Sequence, residues 1–232
     1  ALPMLIPRLK IRNSHLLTPE DFAQLSLNAK VLEQDERGVK VLQMGNGNIL
    51  KVFRVRRTLS LARFYSYARH FCHNADRLRR LGIPTVEIMQ LFHFEDSTNT
   101  AVIYRPLLGQ TLRQLSMLGL IDQTLMEKFG HFVARLHQHG IHFRSLHFGN
   151  VVKTAEGALG LIDIADLKIY RHRLGSWHRM RNFQHLQRYP QEWMALSQAE
   201  RQAFADGYFS TAQLPSKIAS ALRLKLKFLS EA

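Results

Sequence analysis

The sequence predicts an α+β chain of two lobes: a small antiparallel sheet with one long helix over residues 29–104, and a mainly helical lobe over residues 105–232. Three observations predict it. Ala29 to Arg57 and Val86 to Tyr104 alternate apolar and polar side chains at the strand period of two, with turn residues at Glu36-Arg37-Gly38, Gly45-Asn46-Gly47-Asn48 and Glu95 to Thr100. Between these stretches Leu61, Phe64, Ala68, Phe71, Ala75 and Leu78 recur at three- and four-residue steps, as one long amphipathic helix from Ser60 to Leu81 stopped by Gly82-Ile83-Pro84. Farther on, Leu125, Phe129, Phe132, Val133 and Leu136 mark a buried helix that ends at Gly140.

Residues 1–28 read as an N-terminal extension with a short helix. Thr18-Pro19-Glu20-Asp21 supplies a hydroxyl cap, a proline at the first helical position and acids in the first turn. Ala1 to Ile11 holds apolar residues, but Pro3, Pro7, Arg8 and Lys10 interrupt them, so neither a signal sequence nor a membrane span is expected there. Ala29 to Arg57 then makes three strands in a meander, and Val86 to Phe94 and Ala101 to Tyr104 make two more. At the far end Ser216 to Phe228 is basic and amphipathic, with Ile218, Leu222, Leu226 and Leu229 on one side. Packing on the helical lobe is preferred there to contact with a membrane surface.

With 46% apolar and 22% charged residues the chain has the composition of a folded domain. Its formal charge of +14 is unusual and biases it toward a polyanion: a phosphorylated glycolipid, an anionic membrane surface or nucleic acid. No RNA-binding, zinc-finger or helix-turn-helix signature supports nucleic acid. The competing reading is a basic surface kept for solubility. The single cysteine, Cys72, excludes an internal disulfide and a four-cysteine zinc site, and the cytoplasm is the expected compartment. Twelve histidines are scattered without a zincin spacing and are expected mostly on surfaces and loops.

The stretch His139 to Ile169 concentrates the chemistry. Val151-Val152 and Leu159 to Ile164 are apolar, partly β-branched runs on either side of a turn at Ala155-Glu156-Gly157. With the turn centred on Glu156-Gly157, Asn150 and Asp163 fall six residues from the centre on either side, and their side chains would be directly opposed. An amide oxygen and a carboxylate so placed can share one hard divalent cation.

That stretch, Phe143-Arg144-Ser145-Leu146-His147-Phe148-Gly149-Asn150 followed by Leu161-Ile162-Asp163-Ile164-Ala165, keeps the frame H-R-D-L-x-x-x-N and the later metal-binding aspartate of protein kinases. The chain thus resembles the protein-kinase-like superfamily. Within it, LHFGNVV and RLRRLGIPT look most like the lipopolysaccharide core kinases of Gram-negative bacteria, the Kdo/WaaP type. The resemblance implies ATP and Mg2+, with Asn150 and Asp163 on the metal and Lys51, in Ile49-Leu50-Lys51-Val52-Phe53, on the phosphates. Taken alone, Lys51 could equally be an outward strand lysine of a basic protein; Asn150 and Asp163, in the right order downstream, favour the phosphate role. The resemblance also makes the turn at Gly38 the nucleotide-covering loop, although one glycine replaces the usual set. Tyr104-Arg105-Pro106-Leu107 matches the hinge whose backbone meets adenine.

Two departures stand out. Ser145 occupies the place of the catalytic aspartate, with Arg144 beside it as a possible binder of an anionic acceptor and Asp166 as the nearest substitute carboxylate. No glutamate occurs between Val55 and Glu87, so Asn74 falls where the lysine's partner belongs, with Asp76 the only carboxylate nearby. Two functions follow: a phosphotransferase acting on a sugar hydroxyl of a lipopolysaccharide core or related glycolipid, peripheral at the inner membrane, or a pseudokinase that keeps the fold without catalysis. Lys168 to Arg188, crowded with basic residues, reads as a substrate-docking segment or as a solvated basic face.

Overall fold

A computed structural model describes residues 14–54 and 67–226. The chain divides into two compact units. One takes the described residues through Arg80 together with Thr85–Pro106, and the other takes Leu81–Pro84 and the described residues from Leu107 onward. The fold class is α+β, with a six-stranded sheet in the first unit and most of the helices in the second.

The first unit contains β1 (His15–Leu17), α1 (Pro19–Ser26), β2 (Lys30–Asp35), β3 (Gly38–Gln43), β4 (Ile49–Phe53), α2 (Tyr67–Arg80), β5 (Glu87–Phe94) and β6 (Thr100–Arg105), with sheet order β1-β5-β6-β4-β3-β2. The meander and the later hairpin form as their alternation requires. β1 adds a strand that the short run His15–Leu17 did not announce; it pairs in parallel with β5, His15 opposite Phe92. α1 starts as its cap residues dictate, the Thr18 hydroxyl accepting from the Asp21 N–H at 3.1 Å.

The period of two sorts the side chains of β4. Leu50 and Val52 enter a core with Leu17, Leu42, Phe92, Ala101 and Ile103, against which Phe22 and Leu25 of α1 pack. Lys51 and Phe53 take the opposite face, where Phe53 meets Phe71 of α2 with ring centres 5.6 Å apart. Along α2, Ala68, Phe71, Cys72, Ala75 and Leu78 are buried in the spacing expected of them. The expected start of this helix at Ser60, with Leu61 and Phe64, lies outside the described residues, as do Val55, Arg56, Arg57, Ala1 to Ile11, Phe228 and Leu229.

The second unit contains β7 (Gln110–Thr111), α3 (Leu112–Met117), α4 (Gln123–Gln138), β8 (Ile141–Phe143), β9 (Val151–Lys153), β10 (Leu159–Leu161), β11 (Leu167–Ile169), α5 (Ser176–Leu186), α6 (Pro190–Met194), α7 (Gln198–Thr211) and α8 (Ser216–Lys225). The apolar stripe of α4 is buried, and α4 packs on α7 at unusually close range. A Cβ on Gly130 would lie 2.1 Å from the Phe204 carbonyl oxygen, and one on Gly207 would lie 2.1 Å from that of Glu127. Two short ladders complete the unit, β10-β9-β7 and β11-β8. β7 approaches β9 so tightly that Gly109, at φ +142°, has no room for a side chain against the Lys153 carbonyl.

Two expectations are revised here. The segment from Lys168 to Arg188 is not a uniformly solvated basic face, since Arg179 is only 1% exposed. Its guanidinium is consumed inside the unit, donating to the Leu174 carbonyl and the Tyr208 hydroxyl. The second revision concerns the hairpin at Asn150 and Asp163 and is given with the site. The histidines lie mostly at exposed or half-buried positions as expected, with His137 and His142 the buried ones among the described residues.

Candidate functional site

The end of β8 is anchored by buried polar groups. Asn182 of α5 donates to the Phe143 carbonyl at 2.7 Å, which orients its amide so that Oδ1 faces His137 Nε2 at 3.2 Å. The ring must therefore donate from Nε2 and accept at Nδ1, where the Tyr208 hydroxyl lies 2.9 Å away; that hydroxyl in turn accepts from Arg179 at 3.0 Å. Burial, more than the nearby Arg179 charge, pushes the His137 pKa down to about 3, so the ring is neutral. The chain thus leaves β8 at Phe143 from a fixed position. Sequence reading passed over these four residues because their partners lie up to 71 positions apart.

Arg144 and Ser145 follow. Arg144 is exposed, while Leu146 is fully buried and pins the loop. β11 runs antiparallel to β8 with Leu167 opposite Phe143, so Asp166, just before β11, meets the residues just after β8. There the Ser145 hydroxyl donates to Asp166 Oδ2 at 2.8 Å. Burial raises the Asp166 pKa, with the Asp163 charge adding to it and the Ser145 hydrogen bond opposing it.

The loop then turns through a single 3₁₀ turn, Phe148–Asn150. Asn150 donates from Nδ2 to the Ser145 carbonyl at 2.9 Å, which leaves Oδ1 as the free acceptor of the amide. Asn150 and Asp163 are not directly opposed. Leu161 pairs with Val151, the ladder continues with the Ile162 N–H donating to the Asn150 carbonyl at 3.1 Å, and Asp163 falls one residue beyond. A slip of one residue would turn its side chain to the other face of the hairpin. However, Asp163 leaves the strand conformation altogether, with φ 52° and ψ 46° in the left-handed region, and its side chain is exposed. That conformation is uncommon outside glycine and asparagine or aspartate, and it concentrates at functional positions.

His147 ties the loop to the helices. Its Nδ1 accepts from the Gly149 N–H at 3.1 Å and lies 3.4 Å from an Arg113 nitrogen, and its Nε2 lies 3.2 Å from Asn150 Nδ2. Burial first, then Arg113 and Arg188, push its pKa down to about 4, with Asp163 pulling the other way. Arg113 is itself held by the buried Glu192 at 2.6 Å, and Glu192 accepts from the Phe148 N–H at 3.1 Å. His147, Arg113 and Glu192 were not singled out from the sequence. The signal available was His147, three residues before Asn150 in the same loop.

In the first unit Lys51 projects from β4 toward α2, with its Nζ 5.7 Å from the centre of the Phe53 ring and 5.9 Å from that of Phe71. Asn74, one helical turn beyond Phe71, is buried. Asp76 pairs with Arg79 and Arg80. Gly38 opens β3 at φ +100°, and the turn before it is braced by Arg54, which pairs with Asp35 at 2.5 Å and donates to the Val39 carbonyl at 2.7 Å. Tyr104 packs against Phe71 with the rings tilted and their centres 5.2 Å apart. Leu107 begins the second unit's share of the expected hinge and lies over Gly160, whose missing side chain leaves room for it and for Pro84.

Asn150 Oδ1 and the Asp163 carboxylate are hard oxygen donors, and this donor set suits Mg2+, which takes one or two protein ligands and completes its shell with water and phosphate. No group of three or more His, Cys, Asp or Glu among the described residues could hold a metal unaided. Among them, too, no helix is long and apolar enough to cross a membrane.

No protein-family model and no curated protein matches the chain. Solved structures do. The bifunctional kinase-methyltransferase WbdD is similar at 15% identity and a TM-score of 0.45, over 80% of this chain and 46% of that one. A co-crystal structure of WbdD with the kinase inhibitor LY294002 is similar at 15% identity and a TM-score of 0.47, over 83% of this chain and 44% of that one. The chain spans less than half the length of either.

The pKa directions carry an expected result. His137, at about 3, and His142 and His147, at about 4, all lie below the ordinary value of 6.5. The unfolded chain therefore binds protons that the folded chain refuses, so stability is complete above pH ~6.5 and falls as the pH drops toward ~4. Asp166, raised by burial, works in the opposite sense and offsets part of the loss. Urea unfolding midpoints should decline from about pH 7 to about pH 5. A flat profile would mean that the histidines are accessible to protons in the folded chain.

Proposed function

We propose that the chain is an ATP-dependent phosphotransferase of the lipopolysaccharide core kinase type, transferring the γ-phosphate to a sugar hydroxyl of an anionic glycolipid at the inner-membrane surface. The single observation that carries this reading is the construction around Asn150: an amide turned by the Ser145 carbonyl so that its oxygen is free, and an exposed aspartate held in a left-handed conformation at the end of the same hairpin. Phosphoryl transfer asks a protein mainly for positioning and charge neutralisation.

In this reading Asn150 and Asp163 hold Mg2+, which when bound would neutralise charge on the phosphates. Lys51 gives its ammonium to the phosphates, Gly38 allows the β2–β3 turn to approach them, and the backbone of Tyr104 and Leu107 receives adenine. Arg144, exposed beside Ser145, attracts the anionic acceptor, in keeping with a net charge of +14. One observation favours a second reading, a nucleotide-binding module without catalysis: Ser145 is no base near neutral pH, and general-base catalysis is worth about 10²–10⁴-fold.

Purified protein incubated with MgATP and dephosphorylated core oligosaccharide separates the two. The expected result is slow incorporation of the γ-phosphate that is abolished in Lys51→Ala, together with a phosphate count on lipopolysaccharide that is lower, by mass spectrometry, in cells lacking the protein. Mg-dependent stabilisation by ATP without any transfer leaves the binding module. The absence of both ends the nucleotide reading.

A further inference from the structure

We propose that Ser145 and Asp166 together replace the missing catalytic base, with Ser145 touching the acceptor hydroxyl and Asp166 receiving the proton through it. The inference rests on the phosphotransferase reading above and adds the step that reading lacks. Its basis is geometric. The antiparallel pairing of β8 with β11 delivers Asp166 to Ser145, and the serine hydroxyl spends its one proton on Asp166 Oδ2 at 2.8 Å. A hydroxyl so oriented offers only lone pairs to its other neighbours, so it can accept a hydrogen bond from an approaching hydroxyl but cannot compete with it as a donor. The other carboxylate oxygen, Asp166 Oδ1, is buried with no hydrogen-bond partner among the described residues. A purely structural aspartate would be expected to have both oxygens satisfied. The same burial raises the basicity of the carboxylate, which suits a proton acceptor.

The step balances with two substrates, ATP and a sugar hydroxyl. The acceptor oxygen forms a bond to the γ-phosphorus as the bond from that phosphorus to the β,γ-bridging oxygen breaks, and ADP leaves with the electron pair. The acceptor proton passes to Ser145 Oγ while the serine proton passes to Asp166 Oδ2, which ends as a neutral carboxylic acid. The Arg144 charge opposes the upward shift of the Asp166 pKa, and its exposed side chain can face the acceptor.

The test measures γ-phosphate transfer from MgATP to dephosphorylated core oligosaccharide by the full chain and its variants. Asp166→Asn should lower kcat by about 10²-fold or more, with little change in the KM for ATP and with Mg-dependent ATP stabilisation intact. Ser145→Ala should lose a similar factor, and it reads the same relay from the other end should Asp166→Asn fold poorly. The readout that a structural role would not move is rescue: Ser145→Asp placed in the Asp166→Asn background should regain at least tenfold, because the carboxylate is restored one position closer to the acceptor. Transfer undiminished in Asp166→Asn, or in Ser145→Ala, overturns the relay and leaves the phosphotransferase reading standing. A folded, ATP-binding double variant no faster than Asp166→Asn also overturns it. No transfer by the unaltered protein sinks the phosphotransferase reading and the relay with it.

Discussion

Replacing Asp163 by asparagine is expected to remove Mg-dependent stabilisation by ATP and to reduce phosphate transfer by roughly 10³-fold, while leaving the melting temperature of the ligand-free protein almost unchanged. The backbone conformation makes this substitution the informative one. Asp163 sits at φ 52°, ψ 46°, where asparagine is as comfortable as aspartate and alanine is not. Asparagine therefore keeps the turn and the side-chain shape and removes only the charge. Alanine would add strain, and a loss of activity could then be blamed on the fold. Differential scanning fluorimetry with and without ATP and Mg2+, beside a transfer assay, checks both halves. Equal stabilisation of wild type and Asp163→Asn would place the metal elsewhere.

Gly130→Ala is expected to destabilise the second unit by roughly 3 kcal/mol, a large fraction of the stability of an ordinary domain. The sign is what makes the prediction sharp. Alanine for glycine inside a helix normally gains up to about 1 kcal/mol from helix propensity. Here the added methyl would stand 2.1 Å from the Phe204 carbonyl oxygen and 2.7 Å from the Tyr208 nitrogen, backbone atoms that cannot swing aside as a side chain end could. Gly207→Ala faces the reciprocal obstacle, the Glu127 carbonyl at 2.1 Å, and should cost a comparable amount. Gly45, with nothing within 4 Å of a built Cβ, is the control, and Gly45→Ala should be nearly neutral. Chemical unfolding of the three variants decides it: a Gly130→Ala midpoint equal to that of Gly45→Ala would mean that α4 and α7 are farther apart than described.

What the residues determine locally, the sequence by itself determined. The cap of α1 at Thr18, the alternation of β3 to β6, the stripe of α4 and the turn at Gly157 each depend on side chains within a few positions of one another, and the elements form where those patterns lie. The frame from Phe143 to Asp163 was legible for the same reason, since loop, strand, turn and strand are contiguous. The register of that hairpin was not, because the turn can centre on Glu156 or between Glu156 and Gly157, and the two choices shift the pairing by one residue. The ladder that chose between them, with Ile162 opposite Asn150, is settled by the backbone pairing of β9 and β10. The left-handed conformation of Asp163 then depends on how the chain must leave that ladder to begin β11.

Only the tertiary structure decided the rest. The strand β1 has three residues and no periodicity to read; it exists because β5 offers an edge to pair with. The meeting of Ser145 with Asp166 required β11 to fold back on β8, a pairing of strands three residues long that local pattern does not announce. The support beneath it, His137, Asn182, Tyr208 and Arg179, draws on α4, α5 and α7. A buried histidine and a surface histidine look alike in sequence. What separates them is whether distant helices bring an amide and a hydroxyl to its two nitrogens, because a buried polar ring is tolerated only when its hydrogen bonds are made.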